Sequence, residues 1–403
     1  MGHVALEVAD IFRAHGPAWR KAQRGHLSLD QLKVMSAVEQ CRSAALGGHV
    51  LRCEGCRQVE IAYNSCRNRH CPKCQAGAAR RWLQARQTDL LPVEYYHVVF
   101  TLPAPIAMIA FQNKAAVYAI LFKAAAEAMM ALASNPRRLG AEIGLVAVLH
   151  TWGQALTHHP HVHCVVPGGG LSSDGARWVA GRATFFLPVK PLSRLFRRLF
   201  LERLKTAFDA GVLGFFGDLA HLAEPAAFAT HLTAMRHIDW VVYAKKPFGG
   251  PAQVLAYLGR YTHRVAIANS RLVALDDDHV AFRWKDYRQA GTTKVMKLKA
   301  YEFIRRFLLH ALPDGFHRIR HFGFMANSHR AAKFALCRSL LADHGEQPAP
   351  KNVDPAPLNS THQSSADVPA CPHCGGVMHI IIRFTHGFNR TGARTSSFWC
   401  DTS

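Results

Sequence analysis

His158-His159-Pro160-His161-Val162-His163-Cys164-Val165-Val166 is the stretch on which the reading of this chain turns. Two histidines separated by one apolar residue, on a strand, point to the same face. The strand is otherwise apolar at Val162, Val165 and Val166, so imidazoles there are costly unless they are used. His161 and His163 could be two satisfied strand histidines, or a pair of nitrogen ligands for a divalent ion. Just upstream, Gly144 to Gln154 reads as a second strand, with Pro160 marking the turn of a hairpin. That pairing puts His150 and Gln154 on the face of the histidines, and either could be the third ligand. Imidazole plus an amide oxygen leaves positions open on Mg²⁺ or Mn²⁺ for phosphate and water.

Further along, Gly249-Gly250-Pro251 makes a turn that leads into a helix carrying Tyr257 and Tyr261. Residues four apart share a helix face. Two core aromatics would show the same spacing. The neighbours Arg260, His263 and Arg264 favour chemistry instead, because cations stabilise a phenolate and the phosphate it would attack.

Between these landmarks the texture is mixed α+β. Tyr95 to Leu102 is β-branched and aromatic and reads as a strand ended by Pro103. Pro191 to Phe208 is a basic amphipathic helix with Arg194, Arg197, Arg198, Arg203 and Lys205. Ile238 to Ala244 reads as a strand. Short strands follow at Arg271 to Leu275, Val280 to Lys285 and Lys294 to Lys299, then a helix from Tyr301 to Ala311. Ser28 and Gln31 form a capping box at the start of a helix running to about Cys41. The expected division is residues 1–90 for N-terminal helices and a Cys-rich module, 91–270 for a catalytic domain, and 271–343 for a basic strand and helix extension. A Pro-, Ser- and Asn-rich linker over 344–370 and a small Cys-containing tail over 371–403 complete it.

The chain has 403 residues with 49 Lys and Arg against 27 Asp and Glu, a formal net charge of +22. Such an excess attracts a polyanion, with nucleic acid the first candidate. An anionic membrane is disfavoured: the longest apolar stretch, Ile106 to Ala133, is interrupted by Asn113, Lys114, Lys123 and Glu127 and reads as one or two core helices. Met1 to Gly16 has no signal-peptide pattern. A cytoplasmic protein is expected, whose 11 cysteines serve metal rather than disulfides.

Cys53-Glu54-Gly55-Cys56 and Cys71-Pro72-Lys73-Cys74 form a CxxC…CxxC pair with residues 57–70 between. Each half offers two thiolates, and the expectation is one structural Zn²⁺ held by Cys53, Cys56, Cys71 and Cys74. Cys41, His49, Cys66 and His70 could supply a second zinc or be ordinary side chains. The nearby Arg52, Arg57, Arg67, Arg69, Lys73, Arg80 and Arg81 suggest DNA contact, against the alternative of a solvated positive face. Cys371-Pro372-His373-Cys374 is half of a further site, with Cys400 and His379 or His386 as candidate partners.

The stretches His158 to Gly170, Tyr257-Leu258-Gly259-Arg260-Tyr261, Asn64 to Cys74 and Phe282 to Arg288 resemble the two-tyrosine rolling-circle transposases of the insertion sequence 91 family. The likeness extends over about residues 10 to 345. It implies an HUH endonuclease fold: a central antiparallel sheet carrying the histidines, with flanking helices, preceded by a helical and zinc-binding N-terminal domain. It implies His161 and His163 as metal ligands, with Gln154 preferred over His150 as the third. It implies Tyr257 and Tyr261 as nucleophiles that cut single-stranded DNA at element ends and target, leaving a 5′-phosphotyrosine link and a free 3′-hydroxyl. A plasmid replication initiator or relaxase would share that chemistry. A zinc-containing DNA-binding regulator with structural histidines and tyrosines is the reading of a different class. The tail departs from the family pattern, since after His379 only Cys400 remains.

Overall fold

Five antiparallel strands carry the histidines. The structure, a computed structural model, describes residues 5–75, 77, 90–182, 186–248, 253–254, 265–289, 291–343 and 370–385. The sheet consists of β3 (Tyr95–Thr101), β4 (Gly144–Trp152), β5 (His158–Pro167), β8 (Val242–Phe248) and β12 (Ile319–Gly323), in the order β12-β4-β5-β3-β8. β4 and β5 form the expected hairpin, with His150 opposite His161 and Val148 opposite His163. β5 is longer than its sequence suggests. It begins at His158 and runs through Pro160, and the turn lies at 153–157. The register slips between His150 and Trp152. This irregularity accommodates Pro160, which has no N–H to give to a ladder.

The period of two sorts the sheet into faces. Val98, Phe100, Leu145, Ala147, Leu149, Val162, Cys164 and Val166 all belong to one large buried cluster. Helices α3 (Ala104–Gln112), α4 (Lys114–Ser134) and α5 (Val189–Asp209) cover that face. α4 is apolar nearly all round, as a helix packed between a sheet and another helix should be. Among the described residues it is the one helix long and apolar enough to cross a membrane, but Val117, Leu121, Phe122, Ala125 and Met129 lie in the core. α5 turns Leu192, Phe196, Phe200 and Leu204 inward. Phe196 and Phe200 pack on Trp240, with centroids at 5.4 and 5.1 Å. Trp240 also donates its indole N–H to the Met235 carbonyl at 3.0 Å. That anchor, at the end of α6 (Pro225–His237), explains why the expected strand over 238–244 starts later, at Val242.

The opposite face presents His161, His163 and Val165. Val165 joins a second cluster with Tyr95, Val254, Phe324 and Phe334, the last of these from α8 (Arg330–Asp343). Val254 is helical and fully buried, so the chain comes down onto the histidine face of the sheet at this residue.

A second, three-stranded antiparallel sheet is built from β9 (Leu272–Leu275), β10 (His279–Asp286) and β11 (Thr292–Lys299), in the order β11-β10-β9. Helix α7 (Ala300–Leu309) and the N-terminal helices α1 (Val8–Ala22) and α2 (Leu29–Gln40) share its core. Phe12 meets Phe307 edge-on at 5.3 Å, and Trp19 donates to the Tyr301 carbonyl at 3.1 Å. The capping box of α2 forms as expected, with the Ser28 hydroxyl accepting from Gln31 N–H at 3.2 Å and the Gln31 side chain accepting from Ser28 N–H at 3.0 Å. A third small sheet has the order β13-β1-β2: β1 (Gly48–Cys53) lies between β2 (Val59–Tyr63) and β13 (Met378–Phe384), and β6 (Gly169–Leu171) pairs with β7 (Trp178–Ala180).

Candidate active site and metal centres

His161 and His163 come from alternate positions of β5, and His150 reaches them from the neighbouring strand β4. The three imidazoles each offer a nitrogen, and these nitrogens lie within 4.8 Å of one another. Ring centroids are 4.8 Å apart for His161 and His163, 4.5 Å for His150 and His163, and 5.6 Å for His150 and His161. His150 and His163 are buried. Burial pushes the His161 imidazole down to about 4, against a partial opposing pull from the His159 carbonyl. A neutral ring is the form that can bind a metal. His161 Nδ1 lies 2.6 Å from that carbonyl, and a donated proton there leaves Nε2 with its lone pair. His163 Nδ1 lies 2.8 Å from Nε2 of His97, a buried residue of β3. Outer partners of this kind fix the tautomer and orientation of a ligating ring. His97 was not singled out by its sequence, because it sits on a separate strand in no motif.

Gln154 is not part of this group. It lies in the turn 153–157 beyond the end of β4. Its Oε1 accepts from Lys285 N–H at 3.5 Å and its carbonyl accepts from Arg271 at 2.6 Å. Both contacts tie the turn to the second sheet. The expectation prefers Gln154 over His150, whereas the structure groups His150 with the two histidines: the alternation that would place residue 154 beside residue 150 ends with the strand at Trp152. Tyr257 and Tyr261, with Arg260, His263 and Arg264, lie outside the described residues. Of the other histidines, His158 hydrogen-bonds the Tyr118 hydroxyl at 2.8 Å. His310 bonds Thr151 Oγ1 at 3.1 Å and the Leu156 carbonyl at 3.2 Å.

The cysteines form two sets of four, grouped differently from the expectation. Cys41, Cys66, Cys71 and Cys74 make one, and Cys53, Cys56, Cys371 and Cys374 the other. In the first set, Cys74 Sγ lies 3.5 Å from Cys41 Sγ and 3.6 Å from Cys66 Sγ. The expected quartet of Cys53, Cys56, Cys71 and Cys74 is thus split between two clusters. The cause is α2, whose C-cap Cys41 is delivered to the Cys71 knuckle and, with Cys66, fills the two places assigned to Cys53 and Cys56. Neither His49 nor His70 joins a cluster. His70 Nε2 accepts from Leu312 N–H at 3.2 Å. Cys400 and His386 lie outside the described residues.

A family model described as "Transposase zinc-binding domain" matches residues 11–102, and one described as "Putative transposase" matches residues 144–333. The chain is 57% identical to "Putative transposase y4qJ" of Sinorhizobium fredii (strain NBRC 101917 / NGR234), over 95% of this chain and 96% of that protein. It is 27% identical to "Transposase for insertion sequence element IS801" of Pseudomonas savastanoi pv. phaseolicola, over 76% of this chain and 72% of that protein. The chain belongs to the insertion sequence 91 family of transposases.

The positive charge of the transposase is partly spent inside it. Arg69 donates to the carbonyls of Pro313, at 2.8 Å, and Phe316. Lys73 pairs with Glu7 and Arg203 with Glu127. Lys205 meets Asp209 one turn on at 2.6 Å. Arg52, Arg57, Arg67 and Arg194 stay exposed and can meet phosphates, while Arg198 pairs with Glu202 at 3.7 Å. A transposase of this family contains a zinc-binding domain and acts on DNA.

Proposed function

We propose that this transposase cuts and rejoins single-stranded DNA by tyrosine transesterification at the histidine cluster. Tyr257 and Tyr261 are the nucleophiles, and His150, His161 and His163 hold the catalytic divalent ion. The observation that carries the proposal is the convergence of three imidazoles, two of them buried and His161 kept neutral, on one face of the central sheet. Val254 shares a buried cluster with Val165, two residues from His163 on β5, and Tyr257 follows three residues later in the chain.

In this reading a tyrosine oxygen forms a bond to the scissile phosphorus. The bond from phosphorus to the 3′-oxygen breaks, the phenolic proton is lost and the leaving 3′-oxygen gains one. The bound ion would supply Lewis-acid polarisation of a non-bridging phosphate oxygen. His97 would hold the His163 ring in place through its 2.8 Å contact. The phosphotyrosine link conserves the bond energy, so a later 3′-hydroxyl can attack it without an external energy source. With an imidazole replacing the expected amide oxygen, the donor set is more nitrogen-rich than Mg²⁺ favours. Mn²⁺ should therefore support the reaction better than Mg²⁺. The Cys41, Cys66, Cys71 and Cys74 cluster would hold Zn²⁺ in the N-terminal domain, with all four positions filled by sulfur and a structural role. The transposase would work in the cytoplasm, at the nucleoid.

The direct test incubates the protein with a labelled single-stranded oligonucleotide carrying an element end and Mn²⁺. The expected result is a denaturation-resistant protein–DNA adduct, formed faster than with Mg²⁺ and absent with double-stranded substrate. A Y257F/Y261F variant that still forms the adduct would sink the proposal.

A further inference from the structure

Cys371 and Cys374 lie far outside the zinc-binding domain of residues 11–102, yet their sulfurs meet those of Cys53 and Cys56. Cys53 Sγ lies 3.4 Å from Cys374 Sγ, and Cys56 Sγ lies 3.6 Å from Cys371 Sγ. Sulfurs at about 2.3 Å from a tetrahedral zinc are roughly 3.8 Å apart. Sulfurs of a disulfide are about 2.05 Å apart. The spacing fits a shared ion and fits no disulfide.

The two CxxC turns are built alike. Cys53 N–H donates to the Gln58 carbonyl at 2.9 Å, and Arg57 N–H donates to the Cys53 carbonyl at 3.1 Å. Cys371 N–H donates to the Gly376 carbonyl at 2.8 Å, and Gly375 N–H donates to the Cys371 carbonyl at 2.9 Å. The residue after the second cysteine has a left-handed backbone in both, with φ of 61° at Arg57 and 73° at Gly375. Glycine adopts that conformation freely, whereas an arginine must be held in it. The turns are also joined to each other, since Glu54 N–H donates to the Val377 carbonyl at 3.0 Å. A side chain at Gly376 would come within 3.2 Å of Cys53 Sγ and 3.3 Å of Cys374 Sγ.

The sheet these turns serve cannot stand on its core. Its buried cluster consists of Leu51, Cys53, Cys371 and Met378, with Ala62 packed against it. Ile380, Ile381 and Ile382 of β13 are each more than 40% exposed. A sheet this poor in buried apolar surface needs a staple, and metal binding is a common one.

The geometry points to a second structural zinc site, shared by Cys53 and Cys56 of the N-terminal module and Cys371 and Cys374 of the C-terminal segment. The site joins residues more than 300 positions apart and fastens β13 to β1. The C-terminal segment is thereby a part of the zinc module, and an unlinked tail is not its resting state.

Zinc released by an organomercurial reports thiolate-bound metal alone, which separates these sites from the histidine cluster. The full-length protein should release two zinc ions per chain. C371S/C374S should release one, and so should C41S/C66S. A second readout places a specific protease site between positions 350 and 360 and cuts the purified protein without denaturant. The C-terminal fragment should co-elute with the body in the wild type and separate from it in C371S/C374S. Far-ultraviolet circular dichroism confirms that each variant is folded. Release of two zinc ions from folded C371S/C374S, release of only one from wild type, or iron in place of zinc would each overturn the assignment.

Discussion

Replacing His150 and Gln154 separately tests which of them completes the catalytic metal site. His150 sits 4.5 Å from His163, ring centre to ring centre, and is buried against it. Gln154 has its side-chain oxygen on the Lys285 backbone. Loss of an outer partner of a metal ligand weakens binding by about 10–100-fold. Loss of one of three ligands should therefore cost ~100-fold or more, which is about 2.7 kcal/mol at 1.36 kcal/mol per tenfold. H150A should thus lose ~100-fold in Mn²⁺ affinity by calorimetric titration of zinc-loaded protein. Adduct formation should fall at sub-saturating Mn²⁺ and recover partly as Mn²⁺ is raised. Q154A breaks one long hydrogen bond, worth at most about 1 kcal/mol of stability, and should bind Mn²⁺ within about twofold of wild type. If Q154A loses as much affinity as H150A, the turn must rearrange to bring Gln154 to the metal, and the assignment drawn from the strand register is wrong.

Two further outcomes follow from neighbouring residues. H97F keeps a ring in place but removes the nitrogen that meets His163 Nδ1. It should weaken Mn²⁺ by about 10–100-fold, with H97Q recovering part of the loss; equal affinity for H97F and wild type would remove His97 from the site. Burial pushes His310 down to about 3 and His158 to about 4. Both fall below the unfolded value near 6.5, so the unfolded chain binds protons that the folded chain refuses. Stability is therefore full above pH 6.5 and lost as pH falls toward 4. At pH 5 each neutral histidine accounts for about 2 kcal/mol, from 1.5 units at 1.36 kcal/mol per unit. In H310Q the stability difference between pH 7.5 and pH 5, read from urea midpoints, should shrink by about that amount. The cysteine clusters contribute equally to both proteins, so an unchanged difference would contradict the reading.

The part of the site set by local periodicity could be read from residues alone, and the part set by register could not. His161 and His163 share a face because a strand alternates, and no other information is needed. The partner residue on the next strand depends on where the strand ends and how the hairpin is aligned. Here one proline shifts both. Pro160 lies inside β5 and the ladder slips beside it. The turn moves upstream to 153–157 and carries Gln154 away from the face that His150 keeps. His97 was invisible for the same reason, since its strand lies elsewhere in the chain. The fold class was more legible: α+β texture, the hairpin, the capping box of α2 and the amphipathic α5 each arise from short-range patterns. The limits of β8 were not, because the Trp240 anchor that delays it depends on α5 packing.

The cysteines carry the same argument to longer range. Pairing CxxC motifs by nearness in sequence assumes that closing a long loop is costly. The entropy of closure grows only as the logarithm of loop length, about 0.6 kcal/mol per doubling. A ligand 20 residues away and one 300 residues away therefore differ by only about four doublings, on the order of 2–3 kcal/mol. Tertiary packing can outweigh that difference. α2 brings Cys41 to the Cys71 turn, and the pairing of β13 on β1 brings the Cys371 turn to Cys53. Once those elements are in place, geometry selects the ligands. The conformational match between the turns at Cys53 and Cys371 then identifies the partners better than their separation does: both repeat the same two hydrogen bonds and the same left-handed residue after the second cysteine, whereas the residue after Cys74, Gln75, is helical.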